Sequence, residues 1–342
     1  MIAVSADDWQ VMNQRYLMTA LSRIREALEH HATHDRADGI GNVPAESPYE
    51  GPDNVSDTGA APALHALGAI FGLTPFERDL LLLCAGIELD ARFSSLCAEA
   101  QGNPDRPYPT FSLALAALDD PHWSALSPVA PLRHWRLIEI VGAPATPITV
   151  SPLKIDERIL HYLAGVQHLD ERLTGVIDAV SPDDDLVPSH RTAAERIESA
   201  WREASKAGHP LPMIQLCGGD AESKRSVAAN ACAAAGLHLF LLPADLIQLD
   251  GGEREGFQRL WTREAALMSG ALYVETEGLD RNDSRLVAAT TRLLEHTGGA
   301  VFLGTSDRWQ GLRRGTVTID IAKPTRREQR DLWRSLLGDA AV

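Results

Sequence analysis

Residues 211–229, LPMIQLCGGDAESKRSVAA, decide how the second half of the chain folds. An apolar run passes through two adjacent glycines, Gly218 and Gly219, into a segment of helical composition. A strand that meets a helix at such a turn leaves the free N–H groups of the first helical turn pointing at one place, where an anion can bind. The stretch therefore predicts a phosphate-binding turn at the end of a strand.

The turn has the position of the phosphate-loop motif GxxxxGK[ST] but only some of its residues. Gly218 and Lys224 match, whereas Ser223 replaces the second glycine and Arg225 replaces the hydroxyl residue that ligates magnesium. The sequence predicts a nucleotide site that has lost groups it needs. The candidate nucleotide contacts are Gly218, Gly219, Ser223, Lys224, Arg225 and Ser226.

A second strand, ALYVETE at residues 271–277, carries acidic residues where a phosphate-loop ATPase holds an Asp for magnesium and a Glu for the attacking water. Glu275 stands in the Asp position and Thr276 in the Glu position, and a threonine cannot act as a base toward water. Thr305 and Ser306 occupy the place of the polar sensor of the γ-phosphate. These positions predict a pocket without catalytic residues.

Helices and strands alternate from residue 191 onward. Three of the strand-like segments are apolar runs without alternation, which is typical of parallel strands that helices cover on both faces. The pattern predicts an α/β fold, a parallel sheet with helices on both faces. The strand-like segments are PMIQLCG, LHLFLLP, GALYVET, GAVFLGTS and TVTIDIA.

The first half of the chain predicts mostly helical structure. Residues 1–33 predict a helix with an apolar stripe for a core or a partner, and residues 34–62, rich in Gly, Pro, Asp and Ser, predict a flexible linker. Residues 63–180 predict a winged-helix-like domain. Its elements are short helices, a hairpin of HWRLIEIVG with ITVS, and the helices IDERILHYLAG and LDERLTGVIDAV. The acidic segment 181–190 predicts a linker to the α/β domain at 191–342.

The net charge of −15 in 342 residues is carried by the first half. Residues 1–190 contain 12 Lys and Arg against 27 Asp and Glu, whereas residues 191–342 contain 20 of each. An acidic winged-helix region argues against nucleic acid, because binding to phosphates rests on Lys and Arg. Four separated cysteines and the lack of a signal-peptide or membrane pattern predict a cytoplasmic protein with no membrane partner and no metal site.

Two parts of the chain resemble a known family. The order of elements from 190 to 337, with PTRREQRDLWRSLLG after the last strand, resembles the large subdomain of an AAA ATPase and the start of its lid. The segments FGLTPFERDLLLLCAGIELD, PTFSLALAAL, PLRHWRLIEI and LKIDERILHYLAG resemble the acidic winged-helix region of a bacterial AAA family. Some of its members accompany phage-tail-like contractile injection systems. In that family a degenerate first ATPase module precedes an intact second one.

The resemblance implies the N-terminal part of a longer AAA ATPase, cut within the lid, which recruits a protein partner and helps to assemble a ring. The expected contacts are the N-terminal helix and the acidic winged-helix region, with a homo-oligomer for the full-length protein. ATP and magnesium would belong to the parent protein, with none expected in this chain.

One alternative is a weakly active ATP-hydrolysing module that uses Lys224 and Glu275, with Ser226 supplying the hydroxyl. Another is a winged-helix regulator that binds DNA. Arg313 and Arg314 lie near the place of an arginine finger.

Overall fold

The computed structural model describes residues 6–37, 61–142, 146–183, 185–247 and 250–337. The chain divides into two compact units, Met1–His168 and Leu169–Val342. Helix α1 extends four residues into the predicted linker 34–62, and residues 38–60 of that linker lie outside the described residues.

The first unit is mostly helical, as the sequence predicts. Its two short strands pair antiparallel, and a 3₁₀ turn spans Trp123–Leu126. Its elements are α1 (Ala6–Ala37), α2 (Ala63–Phe71), α3 (Pro75–Leu89), α4 (Phe93–Ala100), α5 (Phe111–Ala117), α6 (Pro131–His134), β1 (Ile138–Ile140), β2 (Leu153–Ile155) and α7 (Glu157–Leu163).

The apolar stripe of α1 is used largely within this unit. Leu17, Leu21, Ile24 and Leu28 are buried, and α1 packs against α3, α4 and α5. Asn13 anchors the N-terminal part of the helix, because its side chain accepts a hydrogen bond from the N–H of Ala63 at 2.8 Å and donates to the Leu163 carbonyl at 2.9 Å. The stripe is therefore in the main a core face: its first residue, Trp9, donates to the carbonyl of Ala61 at 3.3 Å, and Met12 is exposed.

The hairpin forms with a different second strand from the predicted one. Residues 138–140 pair with 153–155, not with ITVS at 148–151. The N–H groups of Val150 and Ser151 both donate to the carbonyl of Pro147, so ITVS is a turn. Its β-branched residues suggested a strand, but a proline at its start and the local turn hydrogen bonds determine the conformation.

The second unit is an α/β structure with a six-stranded sheet of order β3-β5-β6-β7-β4-β8. The edge strand β3 is antiparallel to β5, and the other five described strands run parallel. Its elements are β3 (Asp178–Val180), α8 (Pro188–Lys206), β4 (Met213–Cys217), α9 (Ala221–Ala234), β5 (His238–Pro243), α10 (Gly251–Met268), β6 (Gly270–Glu275), α11 (Ser284–His296), β7 (Val301–Thr305), β8 (Thr316–Asp320) and α12 (Arg326–Leu337).

Helices cover both faces of this sheet. On one face, Trp201 of α8 and Val227 of α9 pack with Tyr273 and Phe302 of the strands. On the other face, the side chains of α10 and α11 pack with apolar residues of β5, β6 and β7. Strands buried on both sides read as unbroken apolar runs. The sequence therefore predicts the five parallel strands, but it does not predict the antiparallel edge strand β3.

The boundary between the units lies at 168/169, not at the predicted linker 181–190. Residues 169–180 do not form the predicted helix: a 3₁₀ turn at Glu171–Leu173 leads to β3, which pairs with residues 239–241. Asp170 is buried and forms ion pairs with Arg172 and with the fully buried Arg263 of α10. The end of the predicted linker also belongs to the folded second unit, since Leu186 and Val187 are buried and α8 begins at Pro188.

The Asp170 ion pair gives a test of this boundary. We expect Asp170→Asn to destabilise the second unit by about 2 kcal/mol, because it removes one of the two buried carboxylates, Asp170 and Glu264, that pair with the guanidinium of Arg263. Urea unfolding measures the loss, and Asp178→Asn, an exposed position on β3, is the control.

The same pair predicts a pH dependence. Burial raises the pKa of Asp170, but the hydrogen bonds and charge of Arg172, with the charge of Arg263, lower that pKa more, so it lies below the usual 3.8. The ionised carboxylate thus stabilises the folded state above about pH 4, and this contribution is lost as the pH falls. The stability difference between the wild type and Asp170→Asn should shrink in acid, and a difference that does not change with pH would contradict this assignment.

Candidate functional site

The turn after β4 lies where the sequence predicts it, and Gly218 is required there by a close backbone contact. Its φ is +149°, and a Cβ on this residue would lie 2.1 Å from the carbonyl oxygen of Ile321. Its N–H donates to the carbonyl of Thr305 at 3.0 Å, while the N–H of Ile321 donates to the carbonyl of Cys217 at 2.7 Å. The chain therefore leaves β4 between the ends of β7 and β8.

Helix α9 begins immediately after this turn, with Asp220 at its N-cap. The hydroxyl of Ser223 donates to the Asp220 carboxylate at 2.7 Å. A Cβ on Gly219 would meet nothing within 4 Å, so no close contact requires glycine at this position. A carboxylate and its hydroxyl partner thus lie at the first turn of the helix, where a phosphate loop would present donors to an anion.

Lys224 is fully buried, and its ammonium group is bound within the protein. It donates to the carbonyl of Gly218 at 2.5 Å and to the carbonyl of Thr305 at 2.9 Å, and it forms an ion pair with Glu277. A lysine ammonium has three N–H donors, and these three acceptors match that number. Glu277 was not among the predicted site residues, although it lies two positions beyond Glu275.

Arg225 lies beside the acid that would hold magnesium. Its Nε is 3.2 Å from Oε1 of Glu275. Burial raises the pKa of the Glu275 carboxyl, and the charge of Glu277 adds to the rise, while Arg225 and Lys224 oppose it. A guanidinium in place of the hydroxyl ligand puts a positive charge next to Glu275, so these residues do not fit a magnesium ion.

Thr276 serves as a link between two strands. Its N–H and its hydroxyl both donate to the carbonyl of Gly304, at 3.0 and 2.8 Å. Its side chain is buried and has no basic group that could take a proton from water. At the position where an ATPase would carry the water-orienting acid, Thr276 therefore makes a structural contact with β7.

The predicted sensor residues differ in their surroundings. The Thr305 hydroxyl donates to the carbonyl of Asp307 at 2.7 Å and accepts from the guanidinium of Arg281 at 2.6 Å. Arg281 also donates to the Asp307 carbonyl at 2.9 Å and lies over the ring of Trp309, 5.6 Å from its centroid. Ser306 is exposed. Sequence reasoning missed Arg281, which lies in the segment between β6 and α11.

Ser226, Arg313 and Arg314 are the remaining predicted residues. Ser226 lines a surface groove of about 580 Å³ together with Glu222, Arg225 and residues 178–183. The guanidinium of Arg314 donates to the carbonyls of Leu211, Thr297 and Gly299, so it fastens loops of this unit and is not presented to a neighbour. Arg313 is exposed. Among the described residues there is no group of three or more His, Cys, Asp or Glu side chains suited to a metal ion.

The second unit is an α/β structure whose strand–turn–helix at residues 213–234 has the position of a phosphate loop. The family "Winged helix domain, variant" matches residues 53–177. No curated protein matches the chain. In the described part of the chain, no helix is long and apolar enough to cross a membrane.

Solved structures similar to this chain include a Rhizobiales Trip13 (15% identity, 48% of this chain and 75% of that chain, TM-score 0.31). A second is the Thermotoga maritima RuvB Holliday junction branch migration motor (13%, 48% and 55%, TM-score 0.34). A third is the FIGL-1 AAA domain in complex with ADP (16%, 50% and 68%, TM-score 0.33). These identities and TM-scores are too low to transfer an activity to this chain.

The packing beneath the site gives a third testable prediction. A Cβ on Gly304 would lie 2.1 Å from the hydroxyl oxygen of Tyr273, which is fully buried. Gly304→Ala should therefore destabilise the second unit by about 1–3 kcal/mol, the usual cost of overpacking a core. Gly298→Ala is the matched control, since its Cβ would meet nothing within 4 Å. Equal urea midpoints for the two variants would contradict the close β6–β7 contact.

Proposed function

We propose that this chain is the N-terminal part of an AAA-type ATPase that recruits a partner protein and helps to assemble a ring. In this proposal the chain does not hydrolyse ATP at its own nucleotide position. The absence of hydrolysis in this proposal is supported by the fully buried ammonium of Lys224, whose acceptors are Glu277 and the carbonyls of Gly218 and Thr305. A lysine held in this way is not available to bind β- and γ-phosphates.

The other groups needed for hydrolysis support the same conclusion. Magnesium needs oxygen ligands, but Arg225 places a guanidinium beside Glu275. The attacking water needs a base, but Thr276 bonds to the strand β7. Lys224 and Glu275 thus both have side-chain partners, which disfavours the alternative of a weakly active module.

The first unit is the proposed site of partner recruitment. It carries most of the excess of acidic residues in 1–190, which favours a protein partner over a phosphate backbone. Apolar side chains are exposed toward the start of α1, at Val11, Met12 and Met18, in the 3₁₀ turn at Trp123 and in the following turn at Val129. Since the resemblance is to ATPases that accompany contractile injection systems, we propose a component of such a system as the partner.

ATP turnover tests the catalytic part of this proposal. With Mg-ATP we expect the wild type and Lys224→Met to show the same background rate. Lys206→Met, at the exposed end of α8, is the control for loss of a lysine. Turnover above background that is lost in Lys224→Met and kept in Lys206→Met would favour the ATP-hydrolysing alternative instead.

The class of partner is tested by comparing DNA with a purified contractile sheath. We expect no retention of the chain on duplex DNA at low salt, because of its acidic first unit. We expect co-sedimentation with the sheath that is weakened by the Val11→Asp/Met18→Asp double variant, whose positions are both exposed. Affinity for DNA that falls steeply with salt would instead favour the winged-helix regulator.

A further inference from the structure

We propose that Glu277 is a built-in occupant of the phosphate position. Its carboxylate takes the place of a phosphate oxygen on Lys224, so the site accepts an external anion only when that carboxylate is removed. This inference rests on the proposed function, because it gives a physical reason why a turn that keeps the phosphate-loop lysine would not bind nucleotide.

The burial of Lys224 requires such an internal charge. A buried ammonium group with only neutral carbonyls around it would be strongly destabilising, since carbonyl dipoles do not replace a counter-ion. Glu277 supplies the negative charge from the segment just after β6, and the two carbonyls come from Gly218 and Thr305. In a working phosphate loop the nucleotide would supply this charge.

A second ion pair completes the replacement. Arg225 stands at the position of the magnesium-ligating hydroxyl, and its Nε lies 3.2 Å from Oε1 of Glu275, the acid in the magnesium position. Its positive charge therefore lies where the charge of the metal ion would be needed. A magnesium-bound phosphate would bring a negative charge to Lys224 and a positive charge to Glu275. Here Glu277 supplies the negative charge and Arg225 supplies the positive one.

Two buried polar groups near this ion pair, Oε2 of Glu277 and the hydroxyl of Tyr273, have no hydrogen-bond partner among the described residues. Oε1 of Glu275 has the ion pair with Arg225 but no hydrogen bond. Burial, followed by the charges of Glu277 and Glu275, raises the pKa of Tyr273 well above its usual value. Two carboxylates thus lie close to a buried phenol. Removal of one of their negative charges would make the site more favourable to an external anion.

The direct test is anion binding to Glu277→Gln, with inorganic pyrophosphate in the absence of magnesium as the probe and calorimetry as the measurement. The amide keeps the shape of the side chain and one acceptor for Lys224. We expect Glu277→Gln to bind pyrophosphate at least tenfold more tightly than the wild type does. The Lys224→Met/Glu277→Gln double variant should lose this gain, and Glu253→Gln, an exposed position on α10, should behave like the wild type.

Several results would overturn the inference. These are equal affinity of the wild type and Glu277→Gln, Lys224-dependent binding to the wild type itself, or no binding by a folded Glu277→Gln. If Glu277→Gln does not fold, a double-mutant cycle of Lys224→Met with Glu277→Leu decides. Each single change should lower Tm, because it leaves one buried charge unmatched, and the double change should recover most of the loss. Additive losses would show that the two side chains are not partners.

The two proposals can fail separately. ATP turnover by the wild type that depends on Lys224 would refute the proposed function. A folded Glu277→Gln that binds no pyrophosphate would refute only this inference and would leave the absence of hydrolysis to be explained by Thr276 and Arg225.

Discussion

A buried ammonium group must have its charge matched within a few ångströms, and Lys224 imposes this requirement on the second unit. Its acceptors belong to three different parts of the sheet: the turn after β4, the last residue of β7 and the segment after β6. One charge thereby holds together the carboxyl ends of three neighbouring strands. In an ATPase this edge is the place where a nucleotide binds, and here side chains of the chain itself meet the same electrostatic need.

The fold of the second unit could be predicted from sequence because its strands are covered on both faces. Such strands give apolar runs that are easy to recognise, and the position of a glycine turn between a strand and a helix is fixed by backbone geometry. Residues 169–180 were harder, because their helical spacing of apolar residues competes with a glycine at 175 in a left-handed conformation (φ +78°). The buried Asp170–Arg263 ion pair also holds this segment to α10, and a pairing across 93 residues leaves no local signal in the sequence.

The candidate site was likewise predicted only in part. The positions of Gly218, Lys224, Glu275 and Thr305 follow from their distance along the chain from the ends of the strands and were predicted. Their partners were not, since Lys224 meets Glu277 across 53 residues and Thr305 meets Arg281 across 24. Both partners lie between β6 and α11, where the loop conformation decides which side chain reaches the site. Arg225 and Glu275 were predicted as separate departures from a motif, and only the fold shows that they form one ion pair.

Under the proposed function, the ion pairs of Lys224 with Glu277 and of Arg225 with Glu275 also affect what this module contributes to a ring. A ligand that binds only the folded state stabilises it by RT ln(1 + [L]/Kd), so a nucleotide-dependent module becomes more or less stable as the nucleotide concentration changes. The stability of a module whose lysine and acid already have partners does not depend on the nucleotide concentration. It can present the same surface to its neighbours when ATP is bound elsewhere and after ATP has been hydrolysed. A constant surface of this kind suits a subunit that positions a partner, whereas the hydrolysing module must change its shape to do work.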